Sequence, residues 1–273
     1  MLAAGLIVSA CGVAPGEAEM PSTSTLAPTT SAPAPSTSTS PGFISTGELA
    51  VIVPPDENGD YPPDLLVTCP SGPRFPLGAI YEIELVGPDD PDGLLAAIEP
   101  FLSSEEGPHW PQEGWQLLHR TAEQATLVAR SNGTLAYMFL DREVDAWKWG
   151  GSSLSGSRCD LQYAIPAGLN TVGWRLDPAV SEPGPLTTEL HVLLTERECV
   201  SGQAIGDRLV GPQVVMTDTE VRLAFAAERP PGDAHTCQGN PETSYVVELP
   251  EPLGEREIIQ SMSIGILLED YVS

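Results

Sequence analysis

Apolar and polar positions alternate with a period of two through much of the chain. Residues 115–119, 124–130, 135–141 and 144–149 each read as strands with one buried face. Between the second and third, Ser131-Asn132-Gly133-Thr134 predicts a tight hairpin, because Asn-Gly accepts positive φ. Ahead of this meander, Leu94, Leu95, Ile98, Phe101 and Leu102 recur at helical spacing within residues 91–104. Asp90 is placed to cap that helix, and Gly107 with Pro108 stops it. Short strands are also predicted at 49–53 and 65–68, separated by turn-rich residues 54–63, and residues 159–163 close the half. Beyond Pro166-Ala167-Gly168, strand follows strand at 172–176, 189–196, 213–217, 220–227, 244–249 and 256–259. No helical period appears there.

This pattern predicts an α+β, mostly β protein. One helix with an antiparallel meander occupies 48–167, and a β-sandwich occupies 168–260. Six or seven short strands in about 90 residues fit an immunoglobulin-like arrangement. Residues 261–273 read as a C-terminal tail, whose apolar stretch 264–268 is far too short to span a bilayer.

The first fifty residues follow a different rule. Residues 2–10 are an apolar run ending in small side chains, and Val8-Ser9-Ala10-Cys11 resembles the bacterial lipobox, in which cleavage precedes a cysteine that becomes diacylated. Residues 1–10 are therefore expected to be a lipoprotein signal peptide and Cys11 the lipid anchor. Positive charge should open such a peptide and none stands in residues 1–5, so the start is expected to be clipped. From Pro21 to Pro41, 17 of 21 residues are Ser, Thr or Pro. Such a stretch buries too little apolar surface to offset its ordering entropy, so 11–47 is expected to be a disordered tether.

Charge narrows the classes of partner. The 273 residues hold 38 acidic side chains against 12 Lys and Arg, a formal net charge of -26. A surface of that sign repels nucleic acid and anionic headgroups, which argues against either as a partner. Lys148 is the single lysine, and the prevalence of Arg over Lys points to a GC-rich genome.

Cysteine usage supports export. Setting Cys11 aside leaves Cys69, Cys159, Cys199 and Cys237, an even number without C-x-x-C spacing or a zinc-ligand pattern, although His235 lies two residues from Cys237. Two disulfides are expected in an oxidising compartment. Three connectivities are open, and Cys69 with Cys159 and Cys199 with Cys237 is the one that staples each half internally.

The second half resembles a family of secreted lipoproteins of actinobacteria. The similarity is carried by Thr195-Glu196-Arg197-Glu198-Cys199-Val200-Ser201-Gly202 and by Cys237-Gln238-Gly239-Asn240-Pro241. The run Val246-Val247-Glu248-Leu249-Pro250-Glu251-Pro252-Leu253-Gly254 completes it. The first half is similar more loosely, through Gly114-Trp115 and Trp147-Lys148-Trp149. The resemblance implies export, lipidation, a Cys199–Cys237 pairing and a Gram-positive host; it implies no activity, and nothing is carried over to residues 261–273.

Candidate chemistry is sparse. Asp56-Glu57-Asn58-Gly59-Asp60 alternates oxygen ligands like a calcium loop, but Tyr61 stands where the glycine belongs and Val67 where the closing Glu belongs, so a solvated turn is expected. Asp89, Asp90 and Asp92 suit the positive end of the helix dipole. Trp147 and Trp149 share one strand face and, beside Tyr137 and Phe139, would form a stacking platform for sugars if exposed; core packing is the competing reading. His109, His119, His191 and His235 share no motif. G-x-S-x-G, S-x-x-K and H-E-x-x-H are absent, and Gly151-Ser152-Ser153-Leu154-Ser155-Gly156 is one residue too long for the first. No cofactor or metal is expected. The reading is a lipid-anchored protein of the extracytoplasmic face, a non-enzymatic binding or structural module for an envelope protein or glycan. An extracellular hydrolase and an assembly factor are the alternatives.

Overall fold

A computed structural model describes residues 37–40, 43–47, 49–70, 72–131, 133–154, 158–232 and 234–272. Cys11, residues 1–10 and the tether up to residue 36 lie outside the described residues, as do Asn132 of the expected hairpin and Ser155 and Gly156 of the serine-glycine run. The described residues form one compact unit.

Its strands, in chain order, begin with β1 (Thr37–Ser40), β2 (Phe43–Thr46), β3 (Leu66–Thr68), β4 (Arg74–Pro76) and the two-residue β5 (Glu84–Leu85). The helix α1 (Leu94–Leu102) precedes the meander of β6 (Gln116–Arg120), β7 (Gln124–Ser131), β8 (Thr134–Glu143) and β9 (Ala146–Leu154). Then come β10 (Asp160–Tyr163), β11 (Leu169–Leu176), β12 (Glu189–Glu196), β13 (Leu209–Thr217) and β14 (Glu220–Glu228). The series ends with β15 (Thr243–Glu248), β16 (Glu257–Ile259) and β17 (Ser263–Leu267). The protein is mostly β, with a single α-helix among the described residues, as its periodicity predicts.

The meander forms a five-stranded sheet β5-β6-β7-β8-β9 whose alternation serves two cores. Ala136, Met138 and Leu140 of β8 face α1, where Leu94, Ile98 and Phe101 cover them. Leu135 and Tyr137 face a second core with Leu49, Val51, Phe75 and Leu161. Asp90 works one turn earlier than a simple cap: its carboxylate accepts the N–H groups of Asp92 and Leu94, and Gly93 at φ 72° is the N-cap. Pro100 lies within the helix.

An eight-stranded sheet runs β1-β2-β13-β14-β11-β12-β15, with β16 added in parallel to β14. Val221, Leu223 and Phe225 of β14 enter a core with Val192, Leu194 and Val247. Ala224 and Ala226, on the other face, enter the core with Leu49 and Leu161. The halves divided at residue 167 in the sequence thus share that core.

Three stretches differ from expectation. Residues 49–53 make no ladder; instead the Gln213 amide oxygen accepts the N–H groups of Val51 and Ile52 at 2.7 Å each, and its nitrogen donates to the Ile52 carbonyl at 2.9 Å. The ordered chain begins before Glu48, because β2 pairs with β13 and Phe43 packs on the core. Residues 261–273 are more than a tail: β17 pairs with β10, and Ile264, Leu268 and Val272 are buried. Arg130 on β7 clasps this end by donating to the carbonyls of Glu269 and Val272.

Candidate functional site

Sheet register explains how a polar groove forms. Strand β11 pairs with β14 only as far as Val172 opposite Phe225, and then diverges. The Leu223 carbonyl beyond that point is satisfied by the Trp174 indole N–H at 3.1 Å. Between the freed part of β11 and strands β3, β4 and β10 lies a groove of about 770 Å³. Gln260, Ser261 and Met262, linking β16 to β17, also line it.

Two arginines line this groove. Arg74 comes from β4, and Arg197 follows β12. The Arg197 guanidinium lies across the bare backbone of Gly173, so close that a Cβ there would stand 3.0 Å from its Nε. Like Arg158 and Arg229 elsewhere on the surface, both groove arginines are exposed and without an acid partner among the described residues. Six of the twelve Lys and Arg form ion pairs. Arg130 serves backbone carbonyls, and Arg142 sits 5.0 Å over the Trp147 ring. Arg74 and Arg197 have neither an ion pair nor a side-chain hydrogen bond among the described residues, and the same holds for Gln162 and Gln260 in the same lining. Glu198 is the one carboxylate lining the groove, and both its oxygens accept the Thr171 N–H at 2.9 Å. Tyr163 stays protonated: burial pushes its phenol well up, and its hydroxyl donates to the Val53 carbonyl at 2.9 Å.

Disulfides flank both walls. Cys69–Cys159 joins the end of β3 to the start of β10, and Cys199–Cys237 fixes the segment that carries Arg197. This is the connectivity that staples each half internally.

The other candidates fare differently. Trp147 is buried in the core under α1, 7% exposed, with its indole N–H unpartnered. Trp149 is 42% exposed and stacks on Phe101 at 4.6 Å. Tyr137 and Phe139 belong to the opposite face of β8, against the other core. The open tryptophan platform is therefore not formed, because α1 covers that face. Residues 56–60 form an exposed turn in which Asp56 accepts the N–H groups of Asn58 and Asp60, and these bonds lower its pKa. No group of three metal-ligating side chains exists among the described residues. Burial lowers the His119 pKa, and His119 lines a separate cleft with Arg120. A second cavity of about 770 Å³ is walled by the β11–β12 loop, where Asp177, Glu182 and Glu189 give it acidic character.

Sequence reasoning passes over Arg74, Arg197, Gln162 and Gln260 as a site. Arg197 stands between Glu196 and Glu198 and reads as neutralised. In the fold Glu196 turns to Arg208 and Glu198 to a backbone amide, leaving Arg197 alone. No protein-family model, curated protein or solved structure matches the chain.

Proposed function

We propose that this chain is a binding module held outside a cell membrane by lipid on Cys11, and that it binds through the groove between β10 and β11. The observation that carries the reading is the pair of acid-free arginines in one groove of a protein with net charge -26. Where carboxylates outnumber cations threefold, leaving two guanidinium groups without acid partners in one groove lining favours an outside anion. The two disulfides fit an oxidising compartment, and the lipobox with its Ser/Thr/Pro stretch fits a tethered lipoprotein.

Two measurements test this. In an actinobacterial host, Cys11→Ser should move the protein from the membrane fraction to the medium; full membrane retention would sink the anchor. The full chain carrying Cys11→Ser should also sediment with isolated cell walls, and Arg74→Ala with Arg197→Ala should abolish that. Absent sedimentation, or sedimentation indifferent to both arginines, removes the groove reading.

A second reading, an assembly factor, is favoured by Leu186, 89% exposed, and Val180, 40% exposed, on the β11–β12 loop. Cross-linking from position 186 in cells would then capture one abundant partner protein.

A further inference from the structure

We infer that the groove takes a carboxylate-bearing saccharide, an inference that rests on the binding-module reading above. Two properties of the lining point to this chemistry. The first is the form of the charge. Both cations are arginines, whose planar forks match a carboxylate in two parallel hydrogen bonds. The second is the neutral polar lining. The amides of Gln162 and Gln260 are free of partners among the described residues, and each offers donors and an acceptor to hydroxyl groups. Trp174 borders the groove half-buried, its indole N–H held by the Leu223 carbonyl and its ring packed edge-on against Phe225 of the adjoining core, so it supplies wall and no stacking face. Beside it, Gly173 leaves bare backbone under the Arg197 guanidinium.

A phosphate site would be built differently. Phosphates are usually held by convergent backbone N–H groups at a helix N-terminus or a nest. Neither α1 nor any of the shorter 3-10 turns contributes a residue to this lining. The volume, about 770 Å³, falls within the roughly 300–1,000 Å³ of small-ligand sites. It suits a few sugar rings and not a folded partner.

The test is calorimetric titration of the full chain, carrying Cys11→Ser, with hexagalacturonate. The methyl-esterified hexamer supplies the same rings without charge, and poly(glycerol phosphate) supplies charge without carboxylates. Hexagalacturonate should bind and its ester should not. Arg74→Ala and Arg197→Ala should each weaken binding at least about tenfold, the scale of one charge-assisted contact. Gly173→Ala keeps every charge but crowds the guanidinium, which must give way slightly, and it should weaken binding by less than either arginine change. Trp149→Ala, on the far sheet, should change nothing. Equal binding of acid and ester overturns the inference, since the charge would then go unread. Arginine-dependent binding of poly(glycerol phosphate) in place of hexagalacturonate overturns the ligand class while leaving the groove as the site. If cell walls are still bound through the arginines but neither polymer is, the class again falls and the module reading survives.

Discussion

Single side chains here do work that ladders do elsewhere. Gln213 is buried and supplies the missing partner of residues 51 and 52, accepting two N–H groups and donating to one carbonyl. Gln213→Leu keeps the volume but leaves two buried donors unsatisfied, each costing about 1–3 kcal/mol. The urea midpoint should therefore fall by an amount equivalent to about 2–6 kcal/mol, far more than for Gln162→Leu on the groove wall. Glu196 is a stronger case. Its side chain is fully buried against Arg208, which reaches both oxygens at 3.0 and 2.6 Å, and Asn170 adds a third bond at 2.7 Å. Arg208→Ala strands that carboxylate and should cost about 3–5 kcal/mol in equilibrium unfolding. Asp56 offers a milder test by pH. Backbone N–H groups hold its pKa below the ordinary 3.8, so the charged form favours the folded turn. That contribution is complete above the unfolded pKa and disappears as pH falls through the lower folded one. Carboxyl NMR should show Asp56 titrating below a denatured control.

At the scale of elements, what the sequence reveals depends on whether an element's reason is local. The meander β6 to β9 and the strands β12 and β14 are legible because one alternating pattern fixes each face. Helix α1 is legible from Leu94, Ile98 and Phe101. Strand β17 is not, because Ile264 and Ile266 are separated by Gly265 in a short run and their partner β10 lies about a hundred residues earlier. Residues 49–53 mislead for the opposite reason: the apolar pattern is right, but the bonding comes from a glutamine far along the chain. The disulfides close spans of 90 and 38 residues, each worth about 4–5 kcal/mol by loop closure. Changing Cys199 and Cys237 together to Ser should lower the melting temperature. It should also loosen the wall that carries Arg197, so wall binding should weaken at temperatures where the fold still stands.

For the molecule as a whole, charge is the dominant number. At -26 the folded state repels itself, and screening relieves this. Adding salt should raise the melting temperature while weakening any anion in the groove, two opposite trends within one titration series. The groove was illegible from sequence because it is a property of divergence: β11 leaves β14 after Val172, and no residue pattern announces where two strands part. Its arginines are visible only as members of a minority. What makes them a candidate is that Glu196 pairs with Arg208 and Glu198 bonds a backbone amide, and only the three-dimensional arrangement reveals that.

The clasp of Arg130 on the carbonyls of Glu269 and Val272 has a further consequence. A chain emerges from its N-terminus, whether from a ribosome or through a membrane pore. Leu49 and Val51 appear early, yet the core they enter also contains Leu268 and Val272, which emerge long after them. The sheet edge at β10 must wait as long for β17. Until residues 263–272 emerge, then, an apolar surface stands open with nothing of its own to cover it. A nascent chain halted just before residue 263 should be recognised by holdase chaperones, and one allowed ten residues more should let them go.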